Sequence, residues 1–345
     1  MKRFFALLLA LALAFGCAAC GQENTAADDS MLSDTTESTA PDTVSLTISE
    51  VTHSVFYAPQ YVALEKGFFA KEGLEITLVN GGGADKVMTS VLTGEAEIGF
   101  CGPEACIYVL NQGKEDPGVV FAQMTKRDGS FLVGRENTAF DWNQMRGKTV
   151  IGGRKGGVPE MTLEYVMRQN GIIPGQDAAV DTTVQFNMMA GAFTGGHGDY
   201  VTLFEPTATE VEASGQGYVL ASIGAESGEI PYTAYFAASS YLKAHGDVIQ
   251  RFTNAIASAL QWVKTHEAAE TAAVIAPQFP DTSVDTLTAV VQRYKDIDAW
   301  NDSPVMEKAS LERLETVMET AGELQHSEWV DFNTLVDNSF ALNAK

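Results

Sequence analysis

Two glutamates stand beside proline-ended strands. Ala96 to Phe100 runs into Cys101-Gly102-Pro103 and then Glu104, and Tyr200 to Phe204 runs into Glu205-Pro206. A carboxylate so placed can accept hydrogen bonds from an amine or an aminopyrimidine. As a helix-start residue it is also favourable with nothing bound. Arg154-Lys155-Gly156-Gly157-Val158 precedes Pro159, just inside a helix start where its missing N–H costs nothing. Its glycines let the backbone approach a ligand, and free N–H groups there suit an anion or a polar acceptor. The same stretch also reads as a glycine-rich surface loop with solvated charges. Gly81 to Asp85 opens another helix, and His53-Ser54-Val55-Phe56-Tyr57 follows the first strand. Phe56 and Tyr57 could cover a flat or apolar ligand, or pack the first helix onto the core.

Other chemistries find no residues to carry them. The sequence has no Gly-x-Ser-x-Gly elbow and no phosphate loop of the Walker type. Cys101 and Cys106 lack a zinc spacing and have no histidine near them in sequence, so they read as small buried residues. No cofactor is expected. With 22 basic against 45 acidic residues among 345, the chain has a formal charge of −23. So acidic a surface does not bind nucleic acid or anionic lipid non-specifically.

The elements that must position these segments alternate. Ser45 to Val51 reads as a strand, Tyr57, Tyr61, Leu64 and Phe68 as a helix, and Leu74 to Val79 as a strand. A helix carrying Val87, Met88, Val91 and Leu92 leads to the strand Ala96 to Phe100. A helix from Glu104 then leads to the strand Val119 to Met124. After Phe131-Leu132-Val133 the pattern restarts, with strands at Lys148 to Ile151, Val180 to Phe186, Tyr200 to Phe204 and Tyr218 to Ser222. Strands alternating with single helices imply a parallel sheet. In such sheets ligands bind beyond the carboxyl ends of the strands, so two facing lobes would put all four segments on one cleft. Val87 to Phe100 and Met188 to Val201 echo each other: an apolar helix, Thr-Gly, an acid, then a strand. Two similar α/β lobes are the simplest explanation. After Tyr232 to Ala237 the chain becomes almost wholly helical, with Phe252, Ile256, Ala259 and Val263 on one face. Leu311, Leu314, Val317, Met318, Ala321 and Leu324 make another.

The N-terminus reads as an address. Met1-Lys2-Arg3 precedes Phe4 to Phe15, an apolar run of about a dozen residues. That is too short to span a bilayer, which takes roughly 20. Small residues then lead to Cys20, with Cys17 as the alternative, in the manner of a bacterial lipobox. Residues 1–19 are thus expected to be a lipoprotein signal peptide and 20–43 a lipid-anchored disordered tether, since Gln22 to Asp42 has no Lys or Arg and no apolar period.

His53 to Glu75, with Gly67-Phe68-Phe69, then Gly94-Glu95-Ala96-Glu97-Ile98-Gly99, then Arg146-Gly147-Lys148-Thr149-Val150 followed by Gly156-Gly157, resembles the sulfonate/thiamine-pyrimidine (SsuA/THI5-like) family of ABC-importer binding proteins. The resemblance runs roughly from Val44 to Leu260. It implies a type II periplasmic-binding-protein fold: two α/β lobes, a cleft, two crossovers, near Gly129 to Val133 and Tyr232 to Ala237, and a helical C-terminal tail. Lobe one would be 44–130 plus 236–345, and lobe two 131–235. Family contacts carry over to His53, Phe56, Tyr57, Cys101, Gly102, Pro103, Gly156, Gly157, Val158, Phe204 and Glu205. Arg154, Lys155 and Glu104 join them from the reading of the residues.

The implied activity is capture of a small organic solute and its delivery to an ABC permease and its ATPase, without catalysis, by a monomer lipid-anchored on the outer face of the bacterial cytoplasmic membrane. The solute leans towards a thiamine pyrimidine precursor or another nitrogenous compound, ahead of sulfonate, taurine or nitrate. Sulfonate binders usually offer small hydroxyl residues where this chain has Arg154 and Lys155. The alternatives are a thiamine-pyrimidine synthase-like enzyme, whose cysteine-rich iron motif is absent here, and a sensor or adhesin reusing the fold.

Overall fold

A computed structural model describes residues 43–345; the leader, both candidate lipidation cysteines and nearly all of the expected tether lie outside the described residues. The alternating apolar pattern of the first half builds one sheet from β1 (Val44–Glu50), β2 (Leu74–Asn80), β3 (Ile98–Cys101) and β4 (Gly118–Thr125). The second is built from β5 (Phe131–Gly134), β6 (Thr149–Ile151), β7 (Ala179–Asp181), β8 (Tyr200–Leu203) and β9 (Tyr218–Ser222). β10 (Thr233–Ala238) returns to the first sheet, so Thr233, Ala234 and Tyr235 belong there, slightly ahead of the boundary expected at 236.

The strand orders are β2-β1-β3-β10-β4 and β7-β6-β8-β5-β9. They are the same order twice, as the internal echo anticipates. The sheets are mixed, however, and not parallel. β10 runs antiparallel to both β3 and β4, and β5 runs antiparallel to both β8 and β9. In each case the reversed strand is the one that has just crossed from the other lobe. A strand entering from across the cleft must point away from it, whereas strands linked by helices point towards it.

Expected elements hold with small shifts, but one matters. The strand expected over Val180 to Phe186 stops at Asp181. The Asp181 carboxylate accepts from the Thr183 N–H at 2.8 Å and from its hydroxyl at 2.7 Å, turning the chain out of the sheet. Thr182 to Phe186 are thereby released towards the cleft.

The helical tail covers the first sheet. The face of Phe252, Ile256, Ala259 and Val263 on the helix Gly246–Thr265 is buried against the helix Ala58–Glu65. The tail also reaches the second lobe, where the helix Lys308–Thr320 packs on Val158–Gln169. Phe56 sits where lobes and tail meet. Its ring is fully buried, with centroids 5.1 Å from Tyr294, 5.7 Å from Phe204 and 5.7 Å from Tyr232. Gly129 runs against it so closely that a Cβ there would fall 2.4 Å from the ring. Truncating a buried phenylalanine of this kind costs about 3–5 kcal/mol.

Candidate functional site

A cavity of about 200 Å³ lies between the lobes, at the carboxyl ends of the parallel strands. The first lobe contributes Val51, Thr52, Tyr57, Gly102 and Glu104, together with the helix start Gly82 to Lys86. From the second lobe come Arg154, Gly157 to Pro159, Phe204 and the released loop residues Thr182, Val184, Gln185 and Phe186. Tyr232 and Thr233 close the cavity from the second crossover.

Glu104 is its most distinctive group. It begins the helix Glu104–Asn111 and is 2 % exposed. Its Oε1 accepts a long 3.4 Å hydrogen bond from the Val158 N–H across the cleft, and its Oε2 has no partner among the described residues. Burial pushes the carboxyl up to about 7, against the opposing pull of Arg154 and of backbone N–H groups. Gly102 makes room for it: a Cβ there would fall 2.1 Å from Oε2 and 2.8 Å from Val158 Cγ2. Arg154 spans the mouth, with Nε 3.7 Å from Asp85 Oδ1 on the other lobe. Both side chains are about half exposed, so this contact is worth little to stability.

Of the residues expected at the site, Tyr57, Gly102, Glu104, Arg154, Gly157, Val158 and Phe204 come together here. The others lie elsewhere. Phe56 is core, for the packing reason given above. Cys101 is fully buried as a free thiol beneath the cavity, and burial pushes it well up. Pro103 caps the Glu104 helix without facing the cavity. Lys155 turns outward to Glu323 at 3.3 Å, and the Gly156 carbonyl accepts from the Tyr108 hydroxyl at 3.0 Å.

His53 and Glu205 line an adjoining cleft of about 250 Å³ that shares Thr52, Phe186 and Phe204 with the cavity. The His53 ring is held between Glu50 Oε1 at 2.8 Å and the Gln278 carbonyl at 2.9 Å, and the Glu50 carboxylate raises its pKa. The Glu205 carboxylate accepts from Arg293, Thr209 N and the Thr209 hydroxyl, which leaves it little capacity for a ligand.

Phe186, Gln185, Tyr232 and Thr233 were not singled out from sequence. The Asp181-Thr182-Thr183 turn signature is the signal that would have ended β7 early and exposed the first two. Tyr232 and Thr233 open the second crossover, and nothing in their local pattern marks them as cavity wall.

The assembled chemistry is that of recognition. One buried carboxylate oxygen lacks a partner among the described residues, Tyr57, Phe186, Phe204 and Tyr232 line the same cavity, and Thr52, Thr182, Gln185 and Thr233 add hydrogen-bonding groups to it.

A family model described as NMT1/THI5 like matches residues 55–269. The Bacillus subtilis (strain 168) protein named "Putative binding protein YtlA" is 41% identical over 338 residues, covering 98% of this chain and 96% of that protein. Among solved structures, the alkanesulfonate-binding protein SsuA from Xanthomonas axonopodis pv. citri, bound to MOPS, superposes with a TM-score of 0.70 at 13% identity, covering 87% of this chain and 100% of the other. A ligand-binding component of an ABC-type import system from Staphylococcus aureus, with zinc bound, does so at 0.68 and 14%, covering 87% and 99%. At these identities the likeness is one of fold: the periplasmic-binding-protein fold, seen here as two mixed five-stranded sheets with helices.

Proposed function

The chain belongs to the NMT1/THI5-like family, and on that premise we propose that it is the solute-binding receptor of an ABC importer. It captures a small organic molecule between its lobes and hands it to a permease and its ATPase. The observation that carries the solute class is Glu104. A buried carboxylate with an unpartnered Oε2, in a cavity also lined by Tyr57, Phe186, Phe204 and Tyr232, asks for an N–H donor on a flat or apolar frame. A thiamine pyrimidine precursor, another aminated heterocycle or an amine meets that demand better than sulfonate, taurine or nitrate. The protein acts as a monomer held to the outer face of the cytoplasmic membrane through a lipidated Cys20, or Cys17.

A synthase-like reaction that consumes the protein's own histidine is less well supported, because His53 stands in the adjoining cleft with both ring nitrogens engaged. The test is a thermal-shift panel of aminopyrimidines, amines, sulfonates, taurine and nitrate. A true solute at 100 times its Kd adds about 2.7 kcal/mol to the folded state. Stabilisation by sulfonates or nitrate alone would overturn the nitrogenous reading.

A further inference from the structure

Three helices start on the same cavity: Ala84–Leu92, Glu104–Asn111 and Val158–Gln169. Their N-cap residues are Gly83, Pro103 and Gly157, and none supplies a side-chain acceptor to the N–H groups behind it. Converging helix starts make a seat for an anion, since unpaired N–H groups and the positive ends of the peptide dipoles point into it. In this chain the seat is filled from within. Glu104 Oε1 takes the Val158 N–H, the first N–H of the facing helix. The absent side chain at Gly102 lets the carboxylate lie there.

We propose that Glu104 is a built-in anion that occupies the oxyanion seat of the cavity, so that it sets specificity twice: it turns away solutes with an anionic head, and it offers Oε2 to solutes carrying N–H. This deepens the receptor reading and rests on it. The excluded class comprises sulfonates and similar small oxyanions, which would have to enter a buried site beside a like charge. The three helix starts that would hold such a head remain. Deleting the carboxylate therefore does more than weaken the native solute; it creates a site of the opposite preference.

The experiment is calorimetric titration of ethanesulfonate at about pH 8.5, where a carboxyl pushed up to about 7 is ionised, into the full-length wild-type protein and its Glu104→Ala, Glu104→Ser and Glu104→Gln variants, each checked for a cooperative melt. Serine is at home at a helix start and provides a second emptied seat should the alanine variant fail to fold. The expected result is no measurable binding to wild type and clear binding to the alanine and serine variants. The gain should be roughly tenfold or more, the size of one favourable contact between an anion and a helix start. The glutamine variant, which keeps the seat occupied, gains much less. The proposal is overturned if the folded alanine or serine variant binds no better than wild type, or if wild type already binds as well. These outcomes separate from those of the receptor reading. Wild type stabilised by an amine with no gain in the variants sinks only the seat, whereas variants that gain sulfonate while wild type ignores every nitrogenous solute sink the nitrogenous reading and the role of Oε2 with it, and leave the exclusion of anions standing.

Discussion

Arg293 Nη1 lies 2.6 Å from Glu205 Oε1, joining the helical tail of the first lobe to the end of β8 in the second. The same guanidinium reaches Glu212 at 3.1 Å, and the Glu205 carboxylate has no exposed surface. Beside it, Ser54 donates to the Glu205 carbonyl at 2.7 Å and the Glu205 N–H donates to the Tyr294 hydroxyl at 3.1 Å. A residue read from sequence as a ligand contact is thus a fastening between lobes.

Removing Arg293 leaves that carboxylate buried without its charge partner. Arg293→Met is expected to lower stability by about 2–3 kcal/mol, discounted from the ~3–5 of a fully buried pair because Arg293 is a third exposed. Urea unfolding measures it, and a loss below about 0.5 kcal/mol would place the pair with ordinary surface contacts.

Gly102→Ala inserts a methyl group 2.1 Å from Glu104 Oε2 and 2.8 Å from Val158 Cγ2. The carboxylate must leave its seat and the Val158 side chain must give way. The variant should fold, yet lose the thermal stabilisation that a cavity solute gives to wild type. Retained stabilisation would show that Glu104 does not touch the solute.

Phe186→Ala removes a half-buried ring from the cavity wall. If a flat solute packs against it, affinity falls by about 0.5–1.5 kcal/mol with little change in the unliganded melt. Calorimetry on the solute found by thermal shift decides this, and an unchanged Kd would take Phe186 out of the contact surface.

The unliganded protein should be more stable at mildly acid pH than at pH 8. Asp128 in the first crossover is fully buried, accepts the Ser130 N–H at 2.6 Å and is pushed up from 3.8 to about 7 by burial. Glu104 and Glu160 are also raised to about 7. A carboxyl whose pKa rises on folding contributes stability below its ordinary value and loses it as pH climbs through the raised one. Across the window from about 4 to about 7, Asp128→Asn should remove up to about 1.4 kcal/mol per pH unit from the slope of stability against pH. Urea midpoints at several pH values test this; an undiminished slope in the variant contradicts it.

Cys20→Ala should abolish acylation and release the protein from the membrane fraction, while Cys17→Ala leaves both intact. Metabolic labelling with palmitate reads the first and fractionation the second; the reverse pattern would move the anchor to Cys17.

Much of the scaffold was legible because it is written locally. Apolar alternation, glycines after helices and the echo between Val87 to Phe100 and Met188 to Val201 foretold two like lobes. Glu104 was legible too, since a carboxylate one residue beyond Gly102-Pro103 can only start the helix. The opposite fate of Glu205 was not, for its partner Arg293 is 88 residues away on a helix whose pattern says only that it packs. Phe56 misled for a related reason: an aromatic next to a cleft is core or wall according to what lies behind it. Here Gly129, Tyr294 and Tyr232 lie behind it, drawn from three distant stretches. The direction of β5 and β10 also depends on the crossings and not on their own residues.

Those two reversed strands set an order on assembly. β10 wedges between β3 and β4, so the first sheet is split until the whole second lobe has been made. A chain emerging N-terminus first must carry β1 to β4 unfinished, with the unpaired edges of β3 and β4 facing a gap, while β5 to β9 are synthesised. The second sheet has no such wait, because β5 precedes all of its neighbours. The later half should therefore be the first to complete, and a truncation before Thr233 should leave an early half prone to pairing with another chain.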